Sequence, residues 1–267
     1  NAFAVETSAG VVLVDAGFGL RAYRRRAERA GLALDRVIGV VLTHEHGDHA
    51  TGALNLAAAC GAPVLCSMGT WRGLGPADGV EHVVVRPSHP VALAGVTIHS
   101  CLTTHDATEP LALTVEAPDG ARVGFAIDIG RATAGVRYLL QGANAVVMES
   151  NYDDLLLRTG RYPPSVQQRI AGSGGHVSNR GAASLLADLV HDGMHAVVLA
   201  HLSQQCNTHE RARTTVEPVL RARGFRGTLH IAPQEEPLPP ISVPAAPYRD
   251  QAELPLHWGE ALPARPS

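Results

Sequence analysis

The chain predicts one layered α/β domain followed by a Pro-rich tail, and three observations carry that prediction. Short apolar runs alternate with amphipathic segments through residues 1–232, which is the pattern of packed sheets and helices. Apolar residues make up 45% of the chain and aromatics 4%, with Gly and Pro common, a composition that fits a globular α/β enzyme and excludes a disordered or fibrous chain. At 267 residues the chain can bury a substantial core. From Pro233 the periodicity fades and prolines accumulate, so residues 233–267 are expected to form an extended or disordered tail.

Each element has a local reason. Residues 2–6 and 11–15 read as strands, and Ser8-Ala9-Gly10 between them suits a hairpin. Residues 20–30 form a helix ended by Gly31, whose Arg21, Arg24, Arg25, Arg26 and Arg29 read as a solvated face. An apolar strand at 37–42 delivers a histidine-rich loop, and a helix at 52–59 closes at Gly61. A strand at 63–66, a short helix near Trp71, and strands at 82–86 and 91–100 follow, the last leading into Thr103-Thr104-His105-Asp106. Strands at 111–116 and 122–127 flank Pro118-Asp119-Gly120, a strong turn signal, and the second ends at Asp128. A helix at 136–141, a buried strand at 145–149 and a helix at 165–171 come next. After Gly172-Ser173-Gly174-Gly175, Ser178 or Asn179 caps a helix running to Val190. A strand at 196–200 ends in His201-Leu202-Ser203, a helix spans 210–224 with a kink expected at Pro218, and 228–232 is an edge strand.

A net charge of −3 neither demands nor excludes a nucleic-acid partner, so any phosphate-binding surface must be a local patch. All 22 basic residues are Arg, whose guanidinium suits bidentate phosphate contacts. No apolar run approaches membrane-spanning length, and no charged-then-apolar signal peptide is present, so no membrane association is expected. Cys60, Cys66, Cys101 and Cys206 lack metal or redox spacing and read as small buried hydrophobes in a reducing cytoplasm.

The densest chemistry lies in Thr43-His44-Glu45-His46-Gly47-Asp48-His49, directly after the apolar strand. Three imidazoles and a carboxylate in one short loop exceed what packing needs and suit zinc, manganese or iron. On an extended segment His44 and His46 face one way, whereas Asp48 and His49 point apart, so the loop can feed two neighbouring metals. His44, His105, Asp128 and His201 each follow an apolar strand closely, and strand ends converge at a sheet edge. Such a set provides enough ligands for a centre whose ions lie roughly 3.5–4 Å apart.

The His-x-His-x-Asp-His loop followed by His105, Asp128 and His201 resembles the metallo-β-lactamase superfamily, over almost the whole chain before Pro233. The resemblance implies an αββα sandwich over 1–232 with two divalent ions, zinc foremost and manganese or iron as alternatives. It assigns His44, His46 and His105 to one ion, Asp48, His49 and His201 to the other, and Asp128 to both. Asp15, in Val12-Leu13-Val14-Asp15-Ala16-Gly17, matches the motif whose acid orients the histidine loop. The segments Thr104-His105-Asp106-Ala107, Glu149-Ser150-Asn151-Tyr152-Asp153, Gly175-His176-Val177-Ser178-Asn179 and His201-Leu202-Ser203 look like the YycJ/WalJ-like branch. That branch implies a cytoplasmic exonuclease-like phosphodiesterase acting on DNA, and Asn1-Ala2 resembles the end of its opening Gly/Ser turn. His176, placed before a helix, also resembles the histidine of ribonuclease Z that assists the leaving oxygen.

These likenesses make His176 the general-acid candidate, Glu149 its orienting partner, and Asp48 the group that accepts or steers the proton of the attacking water. Ser178 and Asn179 are expected to hold phosphate oxygens at the helix start, with Arg131, Arg161, Arg169 and Arg180 near enough to contact backbone phosphates. The alternative is a thioester or lactone hydrolase of the glyoxalase II type, which shares every metal ligand and is separated by the Glu149 and His176 segments. A β-lactamase fits poorly, because the best-known branches lack an acid at the Asp128 position. A dead scaffold is disfavoured because every ligand position is filled; a metal-sensing regulator would be separated by hydrolytic activity that falls with chelation. DNA against RNA, cleavage mode and oligomeric state stay open.

Overall fold

The computed structural model describes residues 1–245 except Pro76 and Asp78, so residues 246–267 of the expected tail lie outside the described part. Two mixed sheets pack face to face with helices outside. The first sheet has the order β1 (Ala2–Thr7), β2 (Gly10–Ala16), β3 (Val37–Val41), β4 (Val64–Cys66) and β5 (His82–Val84). Helices α1 (Leu20–Arg29), α2 (Gly47–Ala50), α3 (Ala53–Cys60) and α4 (Met68–Leu74) belong to this half. The second sheet contains β6 (Val91–Leu93), β7 (Val96–Leu102), β8 (Leu111–Glu116), β9 (Arg122–Ala126), β10 (Ala145–Glu149), β11 (Ala196–Ala200) and β12 (Thr228–Ile231), laid out in the order β12-β11-β10-β9-β8-β7-β6. Its helices are α5 (Ala134–Leu140), α6 (Asp154–Thr159), α7 (Pro164–Ala171), α8 (Asn179–Leu189) and α9 (His209–Ala222).

The period-2 geometry of a strand explains the layers. In β2, Val11 and Leu13 face the helix layer with Tyr23, Ala27 and Leu56, while Val12 and Val14 face the other sheet with Ile98, Leu113 and Phe125. Every residue of β2 is buried, as a strand covered on both faces requires. Each such Val or Leu contributes about 1.5–3 kcal/mol of burial free energy.

Strand direction then places the chemistry. β2 through β5 run parallel, as do β9 through β12, and β7 runs antiparallel to β8, which is antiparallel to β9. The C-terminal ends of β2, β3, β7, β9, β10 and β11 therefore share one edge, and Asp15, His44, His105, Asp128, Glu149 and His201 all lie at or just beyond those ends.

One expectation needs correction, and two further stretches gain definition. Residues 91–100 form a hairpin of β6 and β7, because Ala94 and Gly95 both adopt left-handed backbone (φ 47° and 87°) and turn the chain. The run 154–159 forms the short helix α6, capped by the Asp153 carboxylate accepting from the Leu155 and Leu156 amides. Residues 233–245 are anchored: Glu235 and Glu236 pair with Arg26 and Arg29 of α1, and Leu238 and Ile241 pack against the core between the sheets. Helix α9 continues through Pro218. Among the described residues no helix is long and apolar enough to cross a membrane.

Candidate metal centre

Asp15 is fully buried and holds the histidine loop. Its carboxylate accepts the Thr43 amide at 2.9 Å, the Thr43 hydroxyl at 3.0 Å, and His49 Nδ1 at 2.7 Å. The Thr43 hydroxyl in turn lies 3.0 Å from His44 Nδ1. A proton on each Nδ1 leaves both Nε2 atoms turned inward. Thr43 was not anticipated as a positioning residue; its place directly before His44 was the available signal.

Asp128 occupies the centre. Its Oδ2 lies 2.8 Å from His49 Nε2, 3.5 Å from His44 Nε2 and 3.8 Å from His105 Nε2, while Oδ1 lies 2.5 Å from His201 Nδ1 and 3.0 Å from His176 Nδ1. On one side, donor atoms of His44, His46 and His105 converge within 4.8 Å of one another; on the other, those of Asp48, His49, Asp128 and His201 do the same. These are the two groups expected from the sequence, with Asp128 between them. Asp48, 59% exposed, reaches His49 Nε2 and His201 Nε2 at 3.4 Å each. Asn1 Nδ2 also enters this corner, 3.0 Å from Asp48 Oδ2 and 2.9 Å from His49 Nε2.

The residues fit divalent cations. His44 Nε2 is buried without a hydrogen-bond partner, which leaves a polar atom uncompensated unless a ligand takes it. His105 Nδ1 lies 3.1 Å from the Gly175 carbonyl, which turns Nε2 toward His46 Nδ1 at 3.2 Å. Burial, reinforced by His49, pushes the His44 imidazole down to about 3, so it offers a lone pair at neutral pH. Burial opposes protonation of His49 and His201 too, but the carboxylates of Asp15, Asp128 and Asp48 outweigh it at His49, and those of Asp128, Asp48 and Glu149 at His201, raising both well above the usual range. A field that favours a proton there favours a metal cation.

Beside this cluster, His176 Nδ1 lies 2.6 Å from Glu149 Oε1. Glu149 is fully buried, and its other oxygen accepts the Ile129 and Val177 amides at 3.2 and 3.1 Å. Burial lowers the affinity of His176 for a proton, but hydrogen bonds to Asp128 and Glu149 overcome this and raise its pKa to about 9. His176 keeps a 23% exposed side chain and lines a cavity of about 1170 Å³ together with Asp48, His201, Phe3 and Tyr162.

The expected phosphate role of Ser178 and Asn179 is not what their geometry provides. Ser178 Oγ accepts the Gly181 amide as the cap of α8. Asn179 is 1% exposed and exchanges hydrogen bonds with Asn207, while its Oδ1 also accepts from Ser150 Oγ. Asn207 and Asn151 extend this buried network, and Asn151 Nδ2 donates to the His201 carbonyl at 2.9 Å. The network fixes the ends of β10 and β11; Ser150, Asn151 and Asn179 lie in segments that carry the family resemblance, whereas Asn207 gave no sequence signal beyond its polarity. Of the arginines, Arg169 is clasped by Asp106, which lies 3.4 Å from His105, and Arg180 pairs with Asp154; Arg131 and Arg161 are exposed.

Asp15, Asp128 and His201 share left-handed backbone, with φ of 59°, 54° and 55°. For residues with a Cβ this conformation costs roughly 1–2 kcal/mol each, and such strain concentrates at functional sites.

The sandwich, the sheet-edge cluster and the comparisons define one class: the chain belongs to the β-lactamase superfamily, and residues 11–202 match the Beta-lactamase superfamily domain. It is 33% identical to exodeoxyribonuclease YycJ of Bacillus anthracis over 229 residues, 84% of this chain and 86% of that one. Against exodeoxyribonuclease WalJ of Streptococcus pneumoniae it is 27% identical over 222 residues, 81% and 82% of the two chains. The metallo-β-lactamase fold protein YhfI from Bacillus subtilis shares the fold, with TM-score 0.67 at 18% identity over 89% of this chain and 90% of that one.

Proposed function

We propose that this chain is a dinuclear-metal phosphodiesterase that removes nucleotides from DNA in the cytoplasm. The observation that carries the reading is the pairing of two donor groups bridged by Asp128 with a Glu149–His176 dyad at the same cavity. His44, His46 and His105 would hold one ion, Asp48, His49 and His201 the second, and Asp128 both. Such ions supply Lewis acidity and a water of lowered pKa when bound, and zinc is the first choice for this imidazole-rich set. The similarity to two exodeoxyribonucleases supports DNA as substrate, and the four free cysteines support a reducing compartment.

The chain's own groups do the proton work. Glu149 holds His176 through Nδ1, leaving Nε2 to donate a proton to the departing sugar oxygen. Asp48, ionised through its contacts with His201 and His49, accepts or steers the proton of the attacking water. Asp15 keeps His49 in the tautomer that the centre requires.

The test is hydrolysis of end-labelled single- and double-stranded DNA and RNA by protein loaded with zinc or manganese, beside His46→Ala and His176→Ala. Ladders or mononucleotides lost in both variants are the expected result. Turnover of a thioester or lactone with no cleavage of any nucleic acid would overturn the reading in favour of a glyoxalase II-type hydrolase.

A further inference from the structure

Two parallel strands end side by side at the metal centre. β10 and β11 pair along their length, with Glu149 beside Ala200, and the Ser150 amide still donates to the Ala200 carbonyl at 3.0 Å. One residue further the ladder stops, because His201 turns into left-handed backbone with φ 55°. A strained bend of this kind persists only where its surroundings over-determine it. Asn151 provides that restraint. Its Nδ2 donates to the His201 carbonyl at 2.9 Å, and its own carbonyl accepts the Ser203 amide at 2.8 Å, so the two bonds bracket the bend. The Asn151 amide donates to the Val177 carbonyl at 2.9 Å, which ties the same residue to the segment that carries His176.

Asn151 is itself held. Asn207 Nδ2 donates toward the Ser150 and Asn151 carbonyls, at 2.8 and 3.2 Å. The Thr208 amide donates to Asn207 Oδ1 at 2.9 Å, which fixes the orientation of that carboxamide. Asn151 and Asn207 are both buried, and a buried network whose members are paired rigidifies what it holds.

We propose that Asn151 is a positioning residue for the second ion: its carboxamide holds the His201 bend so that the imidazole meets Asp128, 2.5 Å away, and Asp48, at 3.4 Å. This inference rests on the dinuclear reading above, which gives His201 to that ion. Asn151 acts through the His201 backbone, so its loss should disturb one ion and spare the one held by His44, His46 and His105.

Asn151→Leu removes the donor in a similar volume and leaves the backbone groups of residue 151 in place. Asn144 supplies the control at the opposite end of β10. It is 1% exposed, donates Nδ2 to the Gly193 carbonyl at 3.1 Å, and accepts the Arg122 amide at 2.9 Å. Zinc affinity of the full chain is measured by competition with a chromophoric chelator, beside the visible spectrum of the cobalt(II)-loaded protein and the melting temperature. His201→Ala identifies the second ion. Asn151→Leu and Asn144→Leu should both melt at lower temperature, since each leaves buried backbone groups unpaired. Only Asn151→Leu should weaken the ion that His201→Ala loses, about 10-fold, and change the cobalt absorption of that ion alone. If Asn151→Leu does not fold, Asn151→Ala reads the same loss without an apolar branch. Wild-type affinity for both ions with an unchanged cobalt spectrum, or an equal weakening in Asn144→Leu, overturns the inference and leaves the phosphodiesterase reading intact. If wild type takes up fewer than two ions, the dinuclear reading fails and the inference falls with it.

Discussion

Replacing Asp15 by Asn tests how the histidine loop is held. Asn tolerates left-handed backbone as Asp does, so the φ of 59° at this corner is preserved and only charge and hydrogen-bond polarity change. One amide oxygen still accepts from the Thr43 amide and hydroxyl. The NH2 group then faces His49 Nδ1, which Asp15 now engages at 2.7 Å. Two donors cannot share that contact, so His49 must move its proton to Nε2, the atom 2.8 Å from Asp128. A ligand nitrogen that carries a proton cannot bind metal until it is stripped, and loss of such a supporting partner lowers metal affinity by about 10–100-fold. That range corresponds to about 1.4–2.8 kcal/mol. The assay is competition with a chromophoric chelator, reading the two ions separately. The weaker site in Asp15→Asn should be the one assigned to His49, and saturating metal should restore most of kcat. Wild-type affinity for both ions would refute the tautomer argument.

Other outcomes follow from the same geometry. His176→Ala should reduce kcat about 10²–10⁴-fold on substrates with a poor alkoxide leaving group, while p-nitrophenyl phosphodiesters, which need little protonation, lose far less; equal losses on both would remove the acid role. Gly17→Ala puts a methyl group against the Asp48 carbonyl and should destabilise the fold by about 1–3 kcal/mol, read as a lower urea midpoint with unchanged m value. Stripping metal with a chelator should lower the melting temperature, because ions present at 100 times Kd stabilise by about 2.7 kcal/mol; an unchanged midpoint would mean that the donor groups gathered around Asp128 hold no ion.

The strand-end positions of the donors were legible because apolar runs and polar termini are written directly in the chain: Val37 to Leu42 before His44, and Ala196 to Ala200 before His201. Burial was not legible. Asn179 looked like a helix-start phosphate ligand, yet a tertiary contact with Asn207, far along the chain, consumes its amide. The Ala94-Gly95 turn escaped because Ala is an unusual residue for left-handed backbone. The six-residue α6 is too short for periodicity to declare itself. Thr43 had an ordinary reading as a strand-end polar residue, and only its neighbours in space, Asp15 and His44, give it other weight.

The left-handed corners at Asp15, Asp128 and His201 set catalysis and folding at odds. Glycine at any of them would release roughly 1–2 kcal/mol of backbone strain and remove a side chain that the proposed hydrolysis uses. Selection for durability alone would therefore push these positions away from their present residues. A lineage freed from its substrate would drift toward inert, better-folding descendants, recognisable by glycine or asparagine at the three bends while the apolar strands that lead into them persist.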